Sequence, residues 1–416
     1  MKNTDRLFLG DNAVFEADPK RSGINSNVLV VGGTGSGKSL SVATPIVINN
    51  KCQSMIIPIA KRQLLKSCKP ILEKHGYDIH VIDLADGSMS TDGFNPLMYL
   101  DTDEDCISLA QMLKGSCRND YDPYWENTAA DAISAMLYLI LLNSMITGET
   151  PQWTALKDFY QSIRITKKKG LLKGDLYETN LDCLFDKANE LLPGNYASIA
   201  WKSLSGLPDR TFSCAYGLIN VALNGLFNDS IVRSTTLPSL NIHDIGRKKT
   251  ALFILTSPGN TSNKMFVNLL YSMIIKTLMK DAESGETGRL KVPVQIIFDD
   301  FACGTRIDRF EEYISVFRSA GISTVILLQS EQQLYDIYDS YAANTIIDNC
   351  DYYVYLGGNC YNTSYHISQM INKPVSSVLN LKMNSVIIMR RGHDFIITDR
   401  YKIFEDPLCP SILRRI

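Results

Sequence analysis

The sequence has little of what marks a metal-bound, disulfide-stapled or membrane-spanning chain. Ten cysteines are present, none in a CxxC spacing, and the five histidines are widely spread, so no zinc pattern forms. Scattered cysteines of this kind point to a reducing compartment and not to a disulfide framework. The start, Met1-Lys2-Asn3-Thr4-Asp5, has no apolar core of a signal peptide. The longest apolar stretches, Ala132–Ile146 and Phe266–Met279, are interrupted by polar residues. They fall short of the ~20 apolar residues a spanning helix needs, and each is expected as a buried helix. Charge of one sign is missing as well. The 42 Lys and Arg against 44 Asp and Glu leave a net charge of −2. That excludes a uniformly basic nucleic-acid coat but not a local basic channel, because net charge carries no information about distribution. There is no internal repeat and no low-complexity tract. The one charge run is Lys167-Lys168-Lys169, with Arg164 and Lys173 nearby.

What is there begins with Gly32-Gly33-Thr34-Gly35-Ser36-Gly37-Lys38-Ser39, which fits G-x-x-x-x-G-K-[ST]. The apolar run Val28-Leu29-Val30-Val31 precedes it as a buried strand, and Leu40 to Asn50 follows as a helix start. Strand, glycine loop and helix together make a phosphate site. The glycines let backbone N–H groups wrap the phosphates, and the helix N-terminus adds its positive dipole end. Gly33, Thr34, Gly35, Ser36, Gly37, Lys38 and Ser39 are therefore expected to bind ATP. Lys38 would reach the terminal phosphates and Ser39 would ligate Mg2+.

At 416 residues, 45% hydrophobic and 21% charged, the chain is long enough for two domains or one elaborated one. Its texture changes twice. In a first nucleotide-binding part, 1–102, strands and helices alternate from Asn27 to about Leu100, with strands expected at Gln53–Ile59 and Asp78–Leu84 and a helix at Lys61–His75. From 103 to 236 strand-like runs vanish and helical periodicity takes over. Asp122-Pro123 is a helix start there, with Asp as the cap and Pro in the first turn, and the helix is expected to reach about Asn143. In a second nucleotide-binding part, 237–416, the alternation returns from Lys249. Strands are expected at Ala251–Thr256, Val294–Phe298, Ile322–Leu328 and Tyr352–Leu356, and helices at Asn263–Lys280 and Asp308–Ser319. The fold class is α/β: a P-loop nucleotide-binding domain with a mostly parallel sheet, interrupted by an inserted all-α domain.

Val294-Gln295-Ile296-Ile297-Phe298 ends in Asp299-Asp300. A strand beside a glycine loop that ends in a carboxylate holds magnesium through water, and the next acid polarises the attacking water. Asp299 is assigned to magnesium and Asp300 to the water. The strand Ile322–Leu328 ends at Gln329, which either senses the γ-phosphate or is an ordinary polar strand end. Arg318, on the helix before that strand, is either a solvated helix residue or an arginine that reaches a neighbouring subunit's nucleotide. The basic cluster around Lys167–Lys169 has two readings, a solvated loop or a grip on phosphates. Tyr124 and Trp125 could stack on bases or bury against the helical core. A small-molecule kinase is disfavoured because nothing reads as an acceptor lid. A GTPase is disfavoured because Asn372-Lys373 runs into Pro374-Val375 and lacks the guanine-reading Asp.

From about Arg21 to Asp406 the residues resemble the type IV secretion coupling proteins, the TraG/TraD-type conjugative DNA-transfer ATPases. Gly23-Ile24-Asn25-Ser26-Asn27 resembles the family's lead into the glycine loop. Gly93-Phe94-Asn95-Pro96-Leu97 resembles its FNPL segment, and Asp122-Pro123-Tyr124-Trp125-Glu126 its DPFWE segment. Phe298-Asp299-Asp300-Phe301-Ala302 resembles LDEFA, and Phe317 to Ser323 followed by Leu328-Gln329-Ser330 resembles the arginine helix and sensor strand. Asp348-Asn349-Cys350-Asp351 with Tyr355-Leu356-Gly357-Gly358 resembles GNCD and YLGG. The soluble Gram-positive branch is the most similar in character. The resemblance implies a RecA-like nucleotide-binding domain, an inserted all-α domain facing DNA and relaxosome partners, and a homo-oligomeric, hexameric ring. It implies ATP-driven transfer of single-stranded DNA with its attached relaxase into the type IV secretion channel.

The chain departs from that pattern in four places. Asp300 stands where the family has Glu, one methylene shorter. Ile59-Ala60-Lys61-Arg62-Gln63-Leu64 stands where the family has DPKGEL, with both acidic positions lost. Pro45-Ile46 replaces Pro-Asn. The family's N-terminal transmembrane anchor has no counterpart, so the chain is expected to be cytoplasmic and recruited to the cytoplasmic face of the membrane by a partner protein, or to be trimmed. Three functions compete on these grounds: a motor ATPase, an ATP-binding substrate receptor that hydrolyses weakly, and a ring translocase for double-stranded DNA. The segment-by-segment resemblance disfavours the third.

Overall fold

The computed structural model describes residues 5–59, 62–114, 123–163, 165–169, 175–256, 261–299, 301 and 306–409. Thirteen strands lie among them. A hairpin of β1 (Arg6–Gly10) and β2 (Ala13–Glu16) opens the chain. It is followed by β3 (Val28–Val31), β4 (Ser54–Ile59), β5 (Asp78–Asp83), β6 (Ile165–Lys169), β7 (Asp175–Thr179) and β8 (Thr250–Leu255). Then come β9 (Val294–Phe298), β10 (Ile322–Leu328), β11 (Tyr352–Tyr355), β12 (Ser385–Arg390) and β13 (Ile396–Asp399). Nine of them form one sheet in the order β13-β12-β11-β3-β10-β9-β4-β8-β5. All pairings from β11 to β5 are parallel, while β12 and β13 add an antiparallel edge.

The central strands read as unbroken apolar runs because both of their faces are covered. VLVV, TALFIL, VQIIF and ISTVILL are buried at every position. Their alternate residues divide between two cores. Leu29, Ile56, Ile254, Ile296 and Leu328 face one core. Val30, Ile57, Phe253, Ile297 and Leu327 face the other. Pro58 sits inside β4 without disturbing it, because the β4–β9 ladder ends at Ile56 and its missing N–H falls beyond that pairing.

The helix expected after the glycine loop opens as a π-helical turn, Ser39–Ala43, before continuing as Thr44–Asn49. Pro45 accounts for the irregular start, since it lacks the N–H that a regular helix would aim at Ser41. Thr44 Oγ1 donates to the Ser39 carbonyl at 2.8 Å and helps to hold the wide turn.

Between β5 and β8 the chain leaves the sheet. The helices Asp103–Lys114, Pro123–Thr147, Trp153–Ser162, Asp182–Leu191, Tyr196–Ser205, Asp209–Asn224 and Asp229–Thr236 occupy this stretch. It is not strand-free as expected, for β6 and β7 pair as an antiparallel hairpin, Ile165 opposite Thr179. The lysine run of β6 had masked its strand character. Arg164 and Lys173 lie outside the described residues, as does Asp122. The neck is stapled where the chain departs and returns. Gly93 N donates to the Pro238 carbonyl at 2.8 Å, and Leu240 N to the Gly93 carbonyl at 2.9 Å.

The long helix Thr261–Ser284 lies between the sheet and the inserted helices. Phe266 packs edge-on against Phe94 and Trp153 at 5.6 and 6.3 Å between centroids. The inserted helices therefore share a core with one face of the sheet. The helix Tyr124–Thr147 is long and apolar enough to cross a membrane, but 56% of its most apolar window is buried inside the fold. Tyr124 is exposed at 51%, at odds with a buried role for it.

Candidate functional site

The glycine loop leaves the C-terminal end of β3, between β11 and β10 in the sheet, where crevices between strand ends take ligands. Gly32 N donates to the Leu328 carbonyl of β10 at 3.1 Å, and Gly33 N to the Gly357 carbonyl, just beyond β11, at 2.8 Å. The loop is thus pinned on both sides. A Cβ on Gly32 would stand 2.5 Å from Ser36 Oγ and 2.9 Å from Leu356 Cβ, so any other residue would force its neighbours to move. Gly35 and Gly37 take φ of +76° and +77°, which L side chains rarely adopt. Lys38 Nζ donates to the Gly32 carbonyl at 2.7 Å and stays inside the loop it closes.

Two expected strand-end residues, Asp299 and Gln329, meet the loop here. Ser39 Oγ lies 3.5 Å from Asp299 Oδ2, at the end of β9. Thr34 Oγ1 donates to Gln329 Oε1 at 3.0 Å, at the end of β10. The strand order explains both contacts: β10 neighbours β3 and β9 is next. Gln329 N is itself held by Gln333 Oε1 at 2.7 Å. Asp300 lies outside the described residues. Behind Asp299, Phe301 sits against Phe298, Phe310 and Tyr338, which clamps the chain as it leaves the strand.

Arg318 is not brought to this loop. It is exposed on the helix Phe310–Ala320 and donates to the Gly23 carbonyl at 3.0 Å. Gly23 precedes β3 and Arg318 precedes β10, so both lie at the N-terminal edge of the sheet. A strand the length of β10, seven residues, separates that edge from the loop by about 20 Å. Arg318 cannot touch the nucleotide site of its own chain.

The sequence reading missed several supporting groups. Glu331, buried two residues after Gln329, accepts from Tyr353 Oη at 2.9 Å and from His366 Nδ1 at 2.8 Å. That hydrogen bond raises the pKa of His366 above its ordinary 6.5. Arg62, in the segment that departs from DPKGEL, pairs with Asp83 and Asp86 at the end of β5. Its guanidinium holds Asp86 below the usual carboxylate range. Arg400, after β13, donates to the Leu356 carbonyl at 2.8 Å beside the loop. None of these carries a local motif.

The sequence profile of the type IV secretory system conjugative DNA transfer family matches residues 2–374. The chain belongs to that family. That family is one of type IV secretory conjugative DNA transfer. No curated protein sequence matches it. Among solved structures it is similar to the bacterial conjugative coupling protein TrwBdeltaN70 in an unbound monoclinic form, at 17% identity and a TM-score of 0.68, over 96% of this chain and 88% of that one. It is similar to the plasmid coupling protein TrwB in complex with ADP and Mg2+, at 18% identity and a TM-score of 0.63, over 90% and 85%. It is also similar to TrwB in complex with the non-hydrolysable ATP analogue ADPNP, at 18% identity and a TM-score of 0.64, over 95% and 89%. The fold of the family member is thus the RecA-like P-loop NTPase fold.

Proposed function

We propose that this chain is an ATP-hydrolysing coupling protein. It recruits relaxase-bound single-stranded DNA and drives it into a type IV secretion channel. The observation that carries this reading is the convergence of Asp299 and Gln329, from two neighbouring strand ends, on one glycine loop. Gly33 to Ser39 hold the polyphosphate through their N–H groups and Lys38. The hydroxyl of Ser39 and the carboxylate of Asp299 are hard oxygen donors, the kind Mg2+ takes alongside phosphate oxygens and water. Magnesium, when bound, would neutralise charge on the β- and γ-phosphates. Gln329, which accepts from Thr34 of the loop, senses the γ-phosphate, and Asp300 polarises the attacking water. Arg318, at the far edge of the sheet, serves the nucleotide of a neighbouring copy, which calls for a homo-oligomeric ring, a hexamer as in the motors the family resembles. The inserted helices face DNA and relaxosome. The protein acts in the cytoplasm, held at the cytoplasmic face of the membrane by a partner.

A second reading rests on Asp300. One methylene shorter than Glu, it holds water further from the phosphate, and the chain would then be an ATP-binding receptor that turns over slowly. ATP hydrolysis measured with and without single-stranded DNA separates the two. Turnover stimulated by DNA and lost in Lys38→Ala supports the motor. ATP binding without turnover, with turnover appearing in Asp300→Glu, supports the receptor and removes translocation as this chain's own activity.

A further inference from the structure

We propose that Arg400 is a nucleotide-binding residue acting within its own chain, its guanidinium contacting the α/β-diphosphate of the nucleotide in the glycine loop. The inference rests on the reading of that loop as a nucleotide site. Arg400 lies beyond residues 2–374, so the family profile does not include it.

Arg400 follows the outermost strand of the sheet, yet its side chain reaches across to the centre. Its backbone N donates to the Asn384 carbonyl at 2.7 Å, which fixes the base of the side chain. Its Nη2 donates to the Leu356 carbonyl at 2.8 Å, and Leu356 N donates in turn to the Val31 carbonyl at 2.8 Å, the last residue of β3. Its Nη1 lies 3.6 Å from the position a Cβ would take on Gly37. The absent side chain of Gly37 therefore leaves the guanidinium in contact with the loop, one residue from Lys38. Among the described residues no carboxylate pairs with Arg400, and its Nε is buried without a hydrogen-bond partner. A partly buried cation with unused donors beside a phosphate loop is matched by an oxyanion, which a guanidinium binds through two N–H groups.

The direction of approach says which phosphates. Asp299 and Gln329 come from β9 and β10, on one side of β3. Arg400 comes over β11 from β13, on the other side. The groups suited to the γ-phosphate and its metal are thus on the opposite flank, and Gly37 is the part of such a loop that cradles the α- and β-phosphates. Arg400 grips the part of the nucleotide common to ATP and ADP.

The test is equilibrium binding of ADP and of ATP, each with Mg2+, to the full-length chain and to its Arg400→Gln and Arg400→Lys variants, with the melting temperature of each protein measured without nucleotide. Loss of a charge-assisted hydrogen bond predicts that Arg400→Gln binds both nucleotides about tenfold to a hundredfold more weakly. Arg400→Lys should recover part of that loss because it keeps the charge. Unchanged ADP affinity in Arg400→Gln overturns the proposal, and a lowered melting temperature with unchanged affinity assigns Arg400 to the Leu356 tie alone. Loss of ATP affinity with ADP affinity kept also overturns it, since that marks a γ-phosphate group. If the wild-type chain binds neither nucleotide, the nucleotide reading of the loop itself fails, which is a separate result.

Discussion

Ser39 and Asp299 are 260 positions apart in sequence and 3.5 Å apart in the fold. Each was legible alone: Ser39 from the spacing of a glycine loop, Asp299 from an apolar strand that stops at a carboxylate. Their meeting was legible only on the assumption that the two strands share a parallel sheet. Gln329 was open between two roles, and the fold brings it against Thr34 of the loop. Glu331, His366 and Arg400 were invisible because no local pattern marks a side chain whose partner is set by tertiary packing. His366 gives a pH prediction. Its partner Glu331 also accepts from Tyr353, and Asp348 adds a further negative charge nearby. Because the folded pKa of His366 is raised, the pair adds stability that is complete below the ordinary 6.5 and is lost as pH rises through the raised value. The melting-temperature gap between wild type and His366→Gln should be largest at about pH 6 and shrink towards about pH 9. A gap that is flat, or that widens with pH, would show that the pair contributes nothing as an ion pair.

At the scale of elements, apolar runs located the central strands well, because strands buried on both faces need no alternation to be seen. The hairpins β1–β2, β6–β7 and β12–β13 went unseen: β2 and β13 are short and partly exposed, β6 is a lysine run, and the buried apolar run Val386–Met389 of β12 was overlooked. The missed edge hairpin β12–β13 is also why Arg400 could not be placed. The FNPL-like segment shows what a family motif can do without chemistry. Phe94 anchors in the core against Phe266. Asn95, only 4% exposed, caps Leu97 N at 3.1 Å and donates to the Pro151 carbonyl at 2.8 Å. The segment therefore fastens the neck of the inserted helices. Asn95→Ala strands a buried backbone N–H and a partly buried carbonyl, and should cost about 1–3 kcal/mol. Chemical denaturation would show this as a lower midpoint, and no shift would mean the neck is held elsewhere.

At the scale of the whole molecule, the parallel sheet sets two opposite edges. The glycine loop, Asp299 and Gln329 occupy one edge, and Arg318 the other. The resemblance implied a ring from motif alone. Arg318 is about a strand's length from its own loop, so the catalytic role proposed for it requires a neighbouring copy. A second copy stacked head-to-tail would bring the two edges together, and such heterologous contacts form rings when the rotation between copies closes. The central claim is that each site is completed by a neighbour. The measurement that tests it most directly is ATP turnover, with single-stranded DNA, by an equimolar mixture of Lys38→Ala and Arg318→Ala chains. Each variant alone should be inactive. In the mixture, a Lys38→Ala subunit lends its intact Arg318 to the intact loop of an Arg318→Ala neighbour, so turnover should return to a sizeable fraction of wild type. A mixture as inactive as its components, from chains shown to co-assemble, would contradict the shared site.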